Sequence, residues 1–138
     1  MEPRAQTGEL TTMDCFSVPE SYAIAVIDDE EEVRLSTRDL LRSYGVQVAI
    51  FDSAEAFLAG ADLGAVDILI TDFKMPGMTA AGLLDALRER GASFPVVVMS
   101  ALEAEPTRAV VMDRGAAAFL SKPVDPDELT RLLGSLGK

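Results

Sequence analysis

The sequence predicts an α/β fold in which a parallel β-sheet is covered by helices on both faces. Five short β-prone runs recur along the chain: YAIAVI (22–27), VQVAIF (46–51), VDILIT (66–71), PVVVMS (95–100) and AAFL (117–120). Stretches with helical periodicity separate them, so strand and helix alternate five times. VDILIT and PVVVM are almost continuously apolar. A strand tolerates that only when both of its faces are buried, as in a parallel sheet between helical layers.

Each element has its own signals. Residues 1–20 mix charge, Thr, Gly and Pro without period and are expected to form a flexible tail, leaving 21–138 as the folded domain. In the first helix Val33, Thr37, Leu40, Leu41 and Tyr44 share one stripe, and Gly45 is placed to close it in a left-handed cap. A short second helix over 53–60 has Ser53 as its cap and Phe57 and Leu58 as anchors. Ala80, Leu83, Leu84 and Leu87 give the third helix its i, i+3, i+4, i+7 face, with Arg88 and Arg90 near its negative end and Gly91 beyond. In the segment 103–114, Val110, Val111 and Met112 are consecutive, so no rotation hides all three, and Pro106 limits where a helix starts. Apolar surface is expected to stay exposed there. The last helix opens with Asp125, Pro126 and Glu128 and should bury Leu129, Leu132, Leu133 and Leu136. The chain ends soon after Leu136, so no output domain is expected within it.

Composition removes several function classes. A chain of 138 residues suits one domain. With 23 acidic against 12 basic residues the net charge is -11, which opposes direct contact with nucleic acid or an anionic membrane. Cys15 is the one cysteine and there is no histidine. An internal disulfide and a zinc site are therefore excluded, and a reducing cytoplasm fits. No apolar run approaches the roughly 20 residues of a membrane span, and the N-terminus lacks the pattern of a signal peptide.

In an open parallel sheet, ligands bind outside the carboxyl ends of the strands. There the first strand delivers Asp28 and Asp29, the third Asp72, the fourth Ser100 and the fifth, two residues on, Lys122. Two carboxylates about 4 Å apart repel by roughly 4 kcal/mol at an effective dielectric near 20, so three converging acids need a cation or protons. Hard oxygen donors without soft ligands favour magnesium. A divalent ion beside a carboxylate, a hydroxyl and a lysine suits a phosphoryl group, which places Lys122 facing Asp72.

The motifs VIDDEEEVR, ITDFKMPGM, VVVMSA and FLSKP together resemble the receiver domain of two-component response regulators over residues 22–136. FDSAEAFL and MPGM lean toward receivers of the nitrogen-fixation type. The resemblance implies a flavodoxin-like (βα)5 doubly wound sheet with strand order 2-1-3-4-5. It also implies magnesium held by Asp29, the Asp72 side chain and the Lys74 backbone carbonyl, with Asp28 acting mainly through water. Asp72 would accept a phosphoryl group from a sensor histidine kinase or histidine phosphotransfer protein. Ser100 and Phe119 would act as the switch, small Ala101 would leave the site open, and the surface of the fourth helix, fifth strand and fifth helix would carry the signal to a downstream target or output domain outside this chain. Whether phosphorylation pairs two copies through the fourth helix stays open.

Each feature also has a plain structural explanation. Asp28 and Asp29 could simply cap the first helix, Asp72 and Ser100 could be turn and strand-end residues, Lys122 a solvated charge and Phe119 ordinary core. Convergence of the polar groups on one rim favours the functional reading. Ala80 stands where the family usually has glycine, and would be strained if the position needs positive φ, shifting the loop into the third helix. That departure motivates an alternative, a receiver-like interaction module that signals without phosphate. A metabolite phosphatase wants a second acid where Lys74 stands, and a flavin-binding loop would not carry the acidic run DDEEE.

Overall fold

The computed structural model describes residues 22–74, 77–100, 104–122 and 124–136. The expected tail over 1–20, Ala101 and the side chain of Leu136 lie outside the described residues. Among the described residues the order is β1 (Ala23–Ile27), α1 (Glu31–Arg42), β2 (Gln47–Phe51), α2 (Ala54–Gly60), β3 (Ile68–Asp72), α3 (Ala80–Glu89), β4 (Val96–Ser100), α4 (Ala104–Asp113), β5 (Ala118–Ser121) and α5 (Pro126–Leu136). One 3-10 turn, Leu63–Ala65, precedes β3.

The strands form one parallel sheet in the order β2-β1-β3-β4-β5, the flavodoxin-like arrangement. Its two faces are read directly from residue alternation. Ala25, Ile27, Leu69, Val96 and Val98 point to the layer of α2, α3 and α4, where they meet Phe57, Leu83, Leu87 and Val111. Ile24, Val26, Ile68, Ile70, Val97 and Met99 point the other way, to Leu41 of α1 and Leu129 and Leu133 of α5. Both central strands β3 and β4 are buried at every position, which explains their unbroken apolar runs. Among the described residues, no helix is long and apolar enough to cross a membrane.

Helix ends follow local chemistry. Ser53 caps α2 by accepting the Ala56 N–H at 3.0 Å, and Asp125 Oδ1 accepts the Asp127 N–H at 3.0 Å at the start of α5. Gly45 and Gly91 take positive φ after α1 and α3, as a left-handed stop requires. Neither Asp28 nor Asp29 sits at the cap position of α1: that residue is Glu30, which makes no side-chain cap, although its N–H donates to Asp28 Oδ1. Thr79 caps α3, accepting the Gly82 N–H at 3.4 Å. Tyr44 lies beyond the end of α1, yet its phenol oxygen accepts a hydrogen bond from Thr130 Oγ1 at 2.6 Å and ties α1 to α5. On α4, Val111 is fully buried while Val110 and Met112 are each 37 % exposed. Three consecutive apolar residues on one helix could not all turn inward.

Phe57 anchors the α2 side, with its ring edge-on to Phe51 at 5.2 Å and to Phe94 at 6.5 Å between centroids. It is fully buried. Phe57→Ala should therefore lower the unfolding free energy by about 3–5 kcal/mol, read as a fall in the urea midpoint with little change in slope.

Candidate functional site

The site follows from register. Ile27 pairs with Thr71, and Asp72 pairs with Met99. One residue further along β1 is Asp28, which therefore stands beside Asp72 at about one inter-strand spacing, roughly 4.8 Å. The ladder continues past the strand ends, since the Asp28 N–H donates to the Phe51 carbonyl at 3.2 Å and the Phe73 N–H to the Met99 carbonyl at 2.7 Å. On the other side, Ser100 pairs with Ser121, and the Lys122 N–H donates to the Ser100 carbonyl at 2.9 Å. Backbone bonds thus hold the lysine beside the end of β4.

From there the Lys122 side chain, only 13 % exposed, reaches across the rim. Its Nζ lies 3.0 Å from Asp28 Oδ2 and 3.3 Å from Asp72 Oδ2. Facing Asp72 was expected; the nearer partner is Asp28. Asp28 is completely buried, and its other oxygen accepts the Glu30 N–H at 2.9 Å. Its main-chain carbonyl accepts Arg34 Nη1 at 2.6 Å. Asp29 is exposed, and Asp72 and Ser100 are buried. Carboxylate oxygens of Asp28, Asp29 and Asp72 all lie within 4.8 Å of one another.

These surroundings set the proton affinities. Burial pushes the Asp72 carboxyl up to about 6; the Lys122 charge opposes that rise, while the neighbouring Asp28 and Asp29 add to it. Burial alone would lower Lys122, but its hydrogen bond to Asp28 and the charges of Asp72 and Asp28 outweigh it, and the ammonium is held above its ordinary value. The lysine is therefore a fixed cation at neutral pH.

The oxygens fit a magnesium ion. With Mg–O bonds near 2.1 Å, opposite donors sit about 4.2 Å apart, so oxygens within 4.8 Å reach one ion after small side-chain adjustments or through a water. With both its oxygens engaged, Asp28 is the least free of the three to ligate directly.

The remaining candidates fall into place unevenly. Lys74 lies in the loop leaving β3, two residues beyond Asp72, with its side chain exposed. Phe119 is 8 % exposed and belongs to the core cluster on the side of α2, α3 and α4. Ala80 is the first residue of α3, fully buried, and donates its N–H to the Phe73 carbonyl at 3.1 Å. Helical backbone suits alanine, so the strain considered for that position does not arise. Among the described residues of this loop, Gly77 takes left-handed backbone, with φ +83. Sequence reasoning missed Arg34, although it ends the same VIDDEEEVR run; its signal was its place on the first turn of α1, over the acidic strand end.

A 2-1-3-4-5 sheet with an acidic cluster and a partly buried lysine on its carboxyl rim defines a flavodoxin-like α/β domain. The family model for the response regulator receiver domain matches residues 24–133, and the chain belongs to that family. It is similar to the transcriptional regulatory protein FixJ of Azorhizobium caulinodans, with 43 % identity over 109 residues, 78 % of this chain and 51 % of that protein. FixJ of Rhizobium meliloti is 36 % identical over 104 residues, 75 % of this chain and 51 % of that protein. Among solved structures, that of FixJ-N superposes with a TM-score of 0.74 at 33 % identity, covering 85 % of this chain and 93 % of that one. The chain spans about half the length of the curated relatives it matches. The expected leaning to nitrogen-fixation-type receivers agrees with these relatives.

A carboxyl with a raised folded-state pKa binds more protons folded than unfolded between its two values, so it opposes stability as pH rises through that window. For Asp72 the window runs from 3.8 to about 6. In metal-free buffer Asp72→Asn should be the more stable protein above pH 6, by up to about 3 kcal/mol, and the advantage should vanish as pH falls to 4. Urea titrations of both proteins across that range check it.

Proposed function

We propose that this receiver accepts a phosphoryl group on Asp72 and uses it to change a protein-interaction surface. The observation that carries the reading is the Lys122 ammonium, held between Asp28 at 3.0 Å and Asp72 at 3.3 Å, with Asp29 completing the acidic cluster. At neutral pH Asp72 is largely ionised, and its raised affinity for protons makes it a better nucleophile than an exposed carboxylate. An Asp72 oxygen attacks phosphorus in line, the P–N bond of a phosphohistidine breaks, and the imidazole leaves with the electron pair. Asp29, Asp72 and the Lys74 carbonyl would hold a magnesium ion, with Asp28 acting through water, and the bound ion would supply positive charge to neutralise phosphoryl oxygens. Lys122 then exchanges part of its contact with Asp28 for the incoming phosphoryl group, and the Ser100 hydroxyl hydrogen-bonds that group. The same residues assist later hydrolysis, which makes the chemistry self-directed.

The donor is a sensor histidine kinase or histidine phosphotransfer protein. Beside Lys122 a groove of about 720 Å³ opens between Val33, Thr37 and Leu40 of α1 and Val124, Pro126 and Leu129 at the start of α5, and it suits approach of such a partner. Movement of Ser100 and rotation of Phe119 carry the change to α4, β5 and α5, where Val110 and Met112 offer exposed apolar area. A downstream protein or output domain reads that face, and pairing of two copies through α4 is one form the readout takes. The relatives' description as transcriptional regulators supports an output that acts on DNA, whereas the net charge of -11 leaves direct nucleic-acid contact to parts other than this domain. The receiver spans 21–138 and works in the cytoplasm.

With a small phosphodonor and magnesium, the wild type should gain one acid-labile phosphoryl group by mass and Asp72→Asn none. No adduct with any donor, together with partner binding indifferent to Asp72→Asn, leaves only the phosphate-independent module. Lys122→Ala should keep or raise magnesium affinity, because a repelling charge is removed. The same variant should lose the coupling between phosphorylation and partner binding; normal coupling contradicts the role given to Lys122.

A further inference from the structure

The loop from β3 to α3 is closed at its base by the Ala80 N–H donating to the Phe73 carbonyl. A second tie comes from a distant part of the chain. Glu55, in the first turn of α2, accepts the Met78 N–H on its Oε2 at 3.0 Å, across 23 residues of sequence. Gly77 makes this approach possible. Its φ of +83 turns the chain there, and a Cβ at that position would stand 2.5 Å from the same Glu55 oxygen. Gly82 provides the other wall, since a Cβ there would meet Met78 Cγ at 3.2 Å. Glu55 is exposed and is not part of the acidic cluster of Asp28, Asp29 and Asp72. Two glycines and an exposed carboxylate thus fix the backbone at Gly77 and Met78, four residues or fewer after Lys74.

We infer that Glu55 is a positioning residue for the phosphoacceptor site: by anchoring Met78 it presets the loop that carries the Lys74 carbonyl, so that divalent-ion binding does not have to order that loop. The inference rests on the proposed magnesium site. A preset loop loses less conformational entropy when it binds, and the gain appears as affinity.

The test is magnesium titration of the full chain by calorimetry, with the Met78 amide followed by ¹⁵N NMR. Glu55→Ala keeps α2, because alanine is the best helix former and the position is exposed. It should weaken magnesium binding by about three- to ten-fold, slow phosphorylation by a small donor in proportion at limiting magnesium, and shift the Met78 amide. Glu55→Gln retains an acceptor oxygen and should recover most of the affinity and the amide position. Affinity of Glu55→Ala within two-fold of wild type overturns the inference, as does a Glu55→Gln variant no better than alanine. Failure of the wild type itself to bind magnesium overturns the proposed function as well, so the two failures are told apart.

Discussion

One cation holds this rim together. Parallel pairing of β1 and β3 forces Asp28 and Asp72 side by side, and the helices on both faces take them out of water. Two such carboxylates repel by several kcal/mol unless a positive charge is fixed between them. Lys122 supplies it, and it can do so because its own backbone is tied to the end of β4. The lysine compensates both acids at once, so any new negative charge brought to Asp72 must compete with Asp28 for the same ammonium. In the function proposed above, the group that stabilises the resting rim is also the group the phosphoryl oxygens would recruit.

The rest of the architecture serves to keep these side chains where they are. Every residue of β3 and β4 is buried, so a slip of either central strand would break the packing against both helical layers at once. The acidic pair leaves β1 directly into α1, where the Glu30 N–H and the Arg34 guanidinium bind the two ends of Asp28, its side chain and its carbonyl. On the opposite layer, the loop after Asp72 is tied at its base and at Met78. The pocket therefore combines local bonds at Asp28 with contacts between residues far apart in sequence, Lys122 with the rim acids and Glu55 with Met78.

That division explains what could be read from the sequence. Alternating patterns, the Ser53 and Asp125 caps and the Gly45 and Gly91 stops are local signals, and the strands and helices appear within a residue or two of where those signals put them. The rim acids and Lys122 were legible because strand ends in a parallel sheet share one edge. Side-chain choices among near partners were not: that Lys122 sits nearer Asp28 than Asp72 depends on rotamers and burial. Nor could the Glu55 tie be read, since FDSAEAFL looks like any amphipathic helix start until the loop after β3 is folded against it. Ala80 shows the reverse error. A departure from a familiar pattern suggested strain, whereas the residue that needs left-handed backbone is Gly77.

Phe119 and Leu120 are consecutive on β5 and are keyed into opposite layers, the first beneath α3 and α4, the second against α5. An edge strand is thereby gripped from both flanks, and it cannot shift without disturbing both broad sides of the domain. Neither layer can repack around this strand without the other meeting the consequence.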